Sequence, residues 1–133
     1  MTQGHTITIA PTDRHVEVAL GGTKIAESGR ALVLEETGLP PRYYLPRDDV
    51  RTELLVPSSS HTTCPFKGEA SYWSVELDGR VHADIVWSYE QPIPAAAEIA
   101  GQMCFYNERV DLTVDGERIA RAETPLASTE RCG

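Results

Sequence analysis

Long apolar runs, basic clusters and paired cysteines are all missing from this 133-residue chain. No stretch comes near the roughly 20 apolar residues of a membrane-spanning helix. The opening, MTQGHTITIAPTD, has neither the basic start nor the apolar stretch of a secretory leader, so none is expected. Basic residues number 12 against 20 acidic ones, a formal net charge of −8. Phosphate recognition needs clustered Lys and Arg, so nucleic acid is excluded as an expected partner. An anionic membrane surface would repel such a chain, and no membrane partner is expected either. The three cysteines, Cys64, Cys104 and Cys132, are odd in number and widely spaced. That predicts no disulfide framework and a reducing, cytoplasmic setting. Structural zinc wants four Cys or His ligands in close pairs. Only His61 lies near Cys64 and no second pair follows, so neither a metal nor another cofactor is expected.

What is present is ordinary globular material: 41% hydrophobic and 24% charged residues in a chain one domain long. A single β-rich domain is expected over residues 1–121, with AETPLASTERCG (122–133) as a flexible tail. RHVEVAL (14–20) alternates, and Gly21-Gly22 supplies a two-residue turn that pairs Val18 with Ile25. A second break at Ser28-Gly29 pairs Ile25 with Leu32, predicting one apolar row across three strands. ASYWSVELDGRVHADIVWSY holds a second hairpin. A simple turn at Asp78-Gly79 would set Trp73 opposite Asp84 and mix the faces. A three-residue loop, Leu77-Asp78-Gly79, restores alternation and predicts one face carrying Trp73, Val75, Val81, Ala83, Ile85, Trp87 and Tyr89. PPRYYLPRDDV predicts a short extended piece at Tyr43–Leu45, then a helical turn capped by Asp48 or Asp49. QPIPAAAEIAG predicts a short helix opened near Pro94 and closed by Gly101. QMCFYN and RVDLTVDGERIA add strands. The expected class is mostly β with one or two short helices.

HTTCPFKGEASYW, residues 61–73, concentrates the reactive side chains. A cysteine attacks as thiolate, and nearby cations lower its pKa. Lys67 and His61 each lie three residues from Cys64, and Pro65 stiffens the segment, so Cys64, Lys67 and His61 form a candidate catalytic set. Buried cysteines are commonly inert packing groups, and that reading stays open. Trp73, Trp87 and Tyr89, with Tyr43 nearby, read either as core or as an aromatic wall edged by Arg47, Lys67 and Cys64. The charges of PRDDV, including Arg47 and Asp49, read either as surface pairs or as polar groups of the same pocket.

Read together, PPRYYLPRDDV, TTCPFKGEASYWSV, IVWSYEQPIPAAAEIAG and FYNERVDLTVDGE resemble a family of bacteria and fungi catalogued as domain of unknown function 427. The likeness runs in order from about residue 14 to 118. Its motif positions include Tyr43, Arg47, Asp49, Cys64, Lys67, Trp87 and Tyr89. The resemblance implies a β-tent-like arrangement, two antiparallel sheets meeting at an angle with a pocket between them. Zinc-bearing relatives of that shape use two Cys-x-x-Cys pairs, which this sequence lacks. A nucleotidyltransferase activity suggested for the family has no counterpart here, since neither a glycine-rich phosphate cradle nor a paired-aspartate metal motif is present. The sequence therefore predicts a small-molecule-binding domain with an aromatic-lined, metal-free pocket. Its ligand contacts would be Tyr43, Arg47, Asp49, Trp73, Trp87 and Tyr89, beside Cys64. Two alternatives remain: a cysteine-dependent enzyme using Cys64 with Lys67 or His61, and a protein-interaction module such as a homodimer joined at a sheet edge.

Overall fold

The computed structural model describes residues 6–65 and 67–119. Eleven strands follow one another: β1 (Ile7–Pro11), β2 (Val16–Leu20), β3 (Thr23–Ser28), β4 (Leu32–Glu36), β5 (Arg42–Leu45), β6 (Leu55–Cys64), β7 (Gly68–Leu77), β8 (Arg80–Ser88), β9 (Met103–Phe105), β10 (Asp111–Val114) and β11 (Glu117–Arg118). They form two antiparallel sheets. The larger has seven strands in the order β1-β4-β5-β9-β8-β7-β6, and the smaller has four in the order β11-β10-β2-β3. Three short 3-10 turns, at Arg47–Asp49, Thr52–Leu54 and Pro94–Ile99, complete the regular structure. No helix among the described residues is long and apolar enough to cross a membrane.

The mostly β class with two antiparallel sheets stands as expected, whereas several registers differ. Gly21-Gly22 does make the two-residue turn, with Leu20 opposite Thr23 and both glycines at positive φ. A bulge then shifts the ladder, so Val18 faces Ala26 rather than Ile25. Both Ile25 and Ala26 are buried, which strict alternation does not allow. Ser28-Gly29 is no hairpin. There the chain leaves the small sheet, and β4 pairs with β1 and β5 in the large one. The crossing is pinned by Ser28 Oγ, which donates to Asp49 Oδ2 at 2.6 Å while accepting from the Arg30 amide.

The second hairpin also corrects the expected register. Asp78 and Gly79 both take positive φ and form a simple two-residue turn, with Leu77 opposite Arg80. The irregularity sits deeper, where the pairing jumps from Val75–His82 to Trp73–Val86. Asp84, at φ 52°, absorbs the surplus in β8. In consequence the two tryptophans lie on opposite faces. Trp73 packs half-buried against the core between the sheets, and Trp87 is fully buried on the far face. The turn at Arg47–Asp49 is opened by Pro46 with no side-chain cap, so neither Asp48 nor Asp49 caps it. Pro94 stands at the first turn of its 3-10 segment, and Gly101 follows at φ 73°. The expected tail, residues 122–133, lies outside the described residues.

Two apolar layers result. Between the sheets, Val16, Val18 and Leu20 of β2 and Leu112 and Val114 of β10 meet Leu45, Val75, Val86, Met103 and Phe105 of the large sheet. The opposite face of the large sheet builds a second cluster around Tyr44, Tyr72, Trp87 and Tyr89, roofed by Ala96 and Ile99.

Candidate functional site

Register places the second cluster residue by residue. Side chains directly opposite in a ladder share a face. Leu32 faces Tyr44, Tyr44 faces Cys104, Cys104 faces Trp87, and Trp87 faces Tyr72. One row thus crosses β4, β5, β9, β8 and β7. The Trp87 indole N–H donates to the Tyr44 hydroxyl at 3.1 Å, with both side chains fully buried. Tyr106 leans on Trp87 with ring centroids 4.5 Å apart. Two residues before Tyr44 on the same face, Arg42 lies with its guanidinium carbon 5.3 Å from the Trp87 ring centre and 5.8 Å from that of Tyr106. It holds Glu108 through two hydrogen bonds of 3.1 and 3.3 Å.

The turn between β6 and β7 sends a second cation to this face. Cys64 ends β6 opposite Gly68, and the Lys67 amide donates to the Cys64 carbonyl. Lys67 is 1% exposed, and its ammonium donates to Glu36 Oε1 at 2.9 Å while lying 5.8 Å from the Tyr89 ring centre. The Lys67 carbonyl accepts from the Ile93 amide, which ties down the segment leading to the roof. Gly68, at φ 122°, permits this: a Cβ there would sit 3.2 Å from Pro92 Cα.

Burial governs the electrostatics. It pushes the Cys104 thiol up to about 12, although Arg42 and Lys67 pull the other way. Tyr44, Tyr89 and Tyr106 are likewise raised, chiefly by desolvation. Desolvation lowers Lys67, and the Glu36 carboxylate opposes it. Cys104 is therefore a neutral packing thiol under ordinary conditions, with nothing to offer as a nucleophile. Two buried polar atoms stand out. The Tyr89 hydroxyl and Arg42 Nε have no hydrogen-bond partner among the described residues.

The residues expected at the site divide into groups. Cys64, Lys67, Trp87 and Tyr89 share the far face of the large sheet. His61 is exposed, and a strand carries residues three apart to opposite faces, so it does not sit beside Cys64. The sulfur of Cys64 is disulfide-bonded, where the spacing of cysteines had predicted no such bond. Arg47 stacks over Trp73 at 5.1 Å, pairs with Glu90 and donates to the Gly101 carbonyl. Tyr43 points to the between-sheet side, and Asp49 is engaged by Ser28 and Arg30. Sequence reasoning overlooked Glu36 and Cys104 as site residues and read Arg42 only as a surface charge, whereas it is buried against Glu108. The Arg-Tyr-Tyr alternation at 42–44 was the available signal for Arg42, since positions two apart in a strand share a face.

Among the described residues, one group has metal-ligand chemistry: His15, Glu17 and Glu27 on the small sheet. The Lys24 ammonium already lies 2.7 Å from Glu27 and 3.9 Å from Glu17, so a cation is supplied from within. Residues 8–116 match the family described as a domain of unknown function (DUF427). No curated protein matches the chain.

Proposed function

We propose, on the premise that this chain belongs to the family described as a domain of unknown function (DUF427), that it binds a small molecule against the aromatic face of its seven-stranded sheet. The ligand carries a hydrogen-bond acceptor, such as a carboxylate, on a planar body. One observation carries the reading. Tyr89 Oη and Arg42 Nε are buried donors without partners among the described residues, on a face walled by Trp87, Tyr44 and Tyr106. Leaving a buried donor unmade costs about 1–3 kcal/mol, and native proteins keep few of them. An acceptor hydrogen-bonded to either group would offset that cost, and the rings would supply apolar area. The cysteine-dependent alternative has less support. Cys64 is disulfide-bonded, and His61 belongs to the other side of its strand.

The test uses the two indoles. Trp73→Phe leaves Trp87 as the single emitter, and benzoate is titrated against it with acetate as the ring-free control. Saturable quenching by benzoate is expected, weakened about tenfold by Tyr89→Phe through the loss of one hydrogen bond. If no carboxylate perturbs Trp87 and Tyr89→Phe is merely more stable than its parent, the hydroxyl is an unused defect and the reading fails.

A further inference from the structure

A cleft of about 430 Å³ opens at the β6–β8 end of the large sheet, away from Tyr89 and Arg42 and sharing Tyr72 and Tyr106 with the aromatic cluster. Its walls are Ser60, His61 and Thr62 of β6, Tyr72 of β7, Asp84 of β8, and Tyr106 and Arg109 of the turn after β9. Several features look built rather than incidental. Asp84 is a non-glycine residue at φ 52° in the interior of a strand, a conformation that costs on the order of 1 kcal/mol. Between the pairs Trp73–Val86 and Val75–His82, β7 spends one residue and β8 spends three. Such bulges commonly re-aim a side chain next to a functional site. Here the bulge turns Asp84 into the cleft. The Asp84 amide is met by Ser74 Oγ at 3.1 Å, and Ser60 Oγ donates to Asp84 Oδ2 at 2.8 Å.

The opposite wall is equally fixed. Arg109 donates through Nη1 to the Ala83 carbonyl at 2.8 Å, one of the five N–H groups that a guanidinium carries. The hydroxyls of Thr62 and Tyr72 are hydrogen-bonded at 2.9 Å. The ring of Tyr106 is half-buried and braced from behind by Trp87 and Arg42. Asp84 and Arg109 carry opposite charges, so a simple anion or cation would be matched by one and opposed by the other. What it offers is an acceptor, a donor fork and several hydroxyls around an aromatic ring. A ring of hydroxyl groups matches that set. Each hydroxyl both donates and accepts, a carboxylate accepts from two neighbouring hydroxyls, and the C–H face lies flat on tyrosine.

We infer that this cleft binds a neutral polyhydroxylated ring, a sugar or sugar-like molecule, with Asp84 and Arg109 gripping its hydroxyls and Tyr106 as the platform. The inference rests on different polar groups from the interior site, since neither Tyr89 nor Arg42 lines the cleft, although Tyr106 borders both.

The experiment is a titration of the isotope-labelled protein with D-glucose and D-ribose, followed by amide chemical shifts. Inorganic phosphate serves as the charged control. Saturable shifts are expected at residues 60–62, 84 and 106–109, and phosphate should leave them in place. Asp84→Asn tolerates the same backbone and should stay folded, yet weaken sugar binding about tenfold. Ser60→Ala should weaken it less, and Tyr89→Phe should not alter it. Absence of sugar-dependent shifts in the folded protein would overturn the inference. So would sugar binding indifferent to Asp84→Asn, phosphate binding in the cleft, or loss of sugar binding on Tyr89→Phe.

Discussion

Burial of titratable groups, outweighing the pull of the nearby Arg42 and Lys67 cations, makes this protein sensitive to alkali. Cys104 ordinarily titrates at 9.0 and is pushed up to about 12 by burial. Tyr44, Tyr89 and Tyr106, ordinarily at 10.0, are raised by the same cause. Each keeps its proton in the folded state over a range where the unfolded chain has released it. Their contribution is therefore complete below 9.0 for the thiol and 10.0 for the phenols, and is lost as pH rises beyond those values. Lys67 runs the other way: burial lowers it below 10.5, so its penalty is relieved as pH climbs to that value. Four groups oppose one. Denaturant midpoints measured between about pH 8 and about pH 11 should fall, with tyrosinate absorbance appearing together with unfolding. A flat profile over that range would mean these side chains reach water in the native state.

Turns and bulges decide which residues the strands present. Gly21-Gly22, Asp78-Gly79 and Asp115-Gly116 are two-residue turns whose residues all take positive φ, and turn chemistry of this kind is readable from dipeptides. The bulges in β3 and β8 are not so readable. Their cause is tertiary, in that Ile25 and Ala26 are both drawn into the core and Asp84 is turned outward. Relying on strict alternation moved the irregularity to the Asp78-Gly79 bend and placed both indoles on one side. The motif around Cys64 was legible as a cluster, and Lys67, Trp87 and Tyr89 do share a face with it. Glu36 was not legible, because its partner Lys67 lies 31 residues away, and alternation marked only the face of Arg42, whose partner Glu108 lies 66 residues away. Gly68 gives an element-level test. A Cβ there meets Pro92 Cα at 3.2 Å and Gln91 O at 3.4 Å, at φ 122°. Gly68→Ala should cost about 1–3 kcal/mol by displacing the 91–93 segment. Gly29→Ala, which meets nothing within 4 Å, should stay within about 0.5 kcal/mol. Equal urea midpoints for the two variants would show that the close approach carries no weight.

At the level of the whole molecule, the outer edge of the large sheet is blunted. Pro57 in β6 lacks an N–H, and the pairing is irregular between Pro57 and His61. With a net charge of −8 as well, copies have little reason to join along this edge. Light scattering should return a mass of 14.6 kDa at every concentration, and a mass that doubles on concentrating the sample would contradict this. The small sheet has a different vulnerability. β2 pairs with β10, so Val16 lies opposite Val114 across nearly the full length of the described chain. During synthesis the β2–β3 hairpin leaves the ribosome long before its neighbour exists. Until residues 111–114 emerge, Val16, Val18 and Leu20 lack that strand, and a nascent polypeptide stalled short of it offers a chaperone an apolar handle.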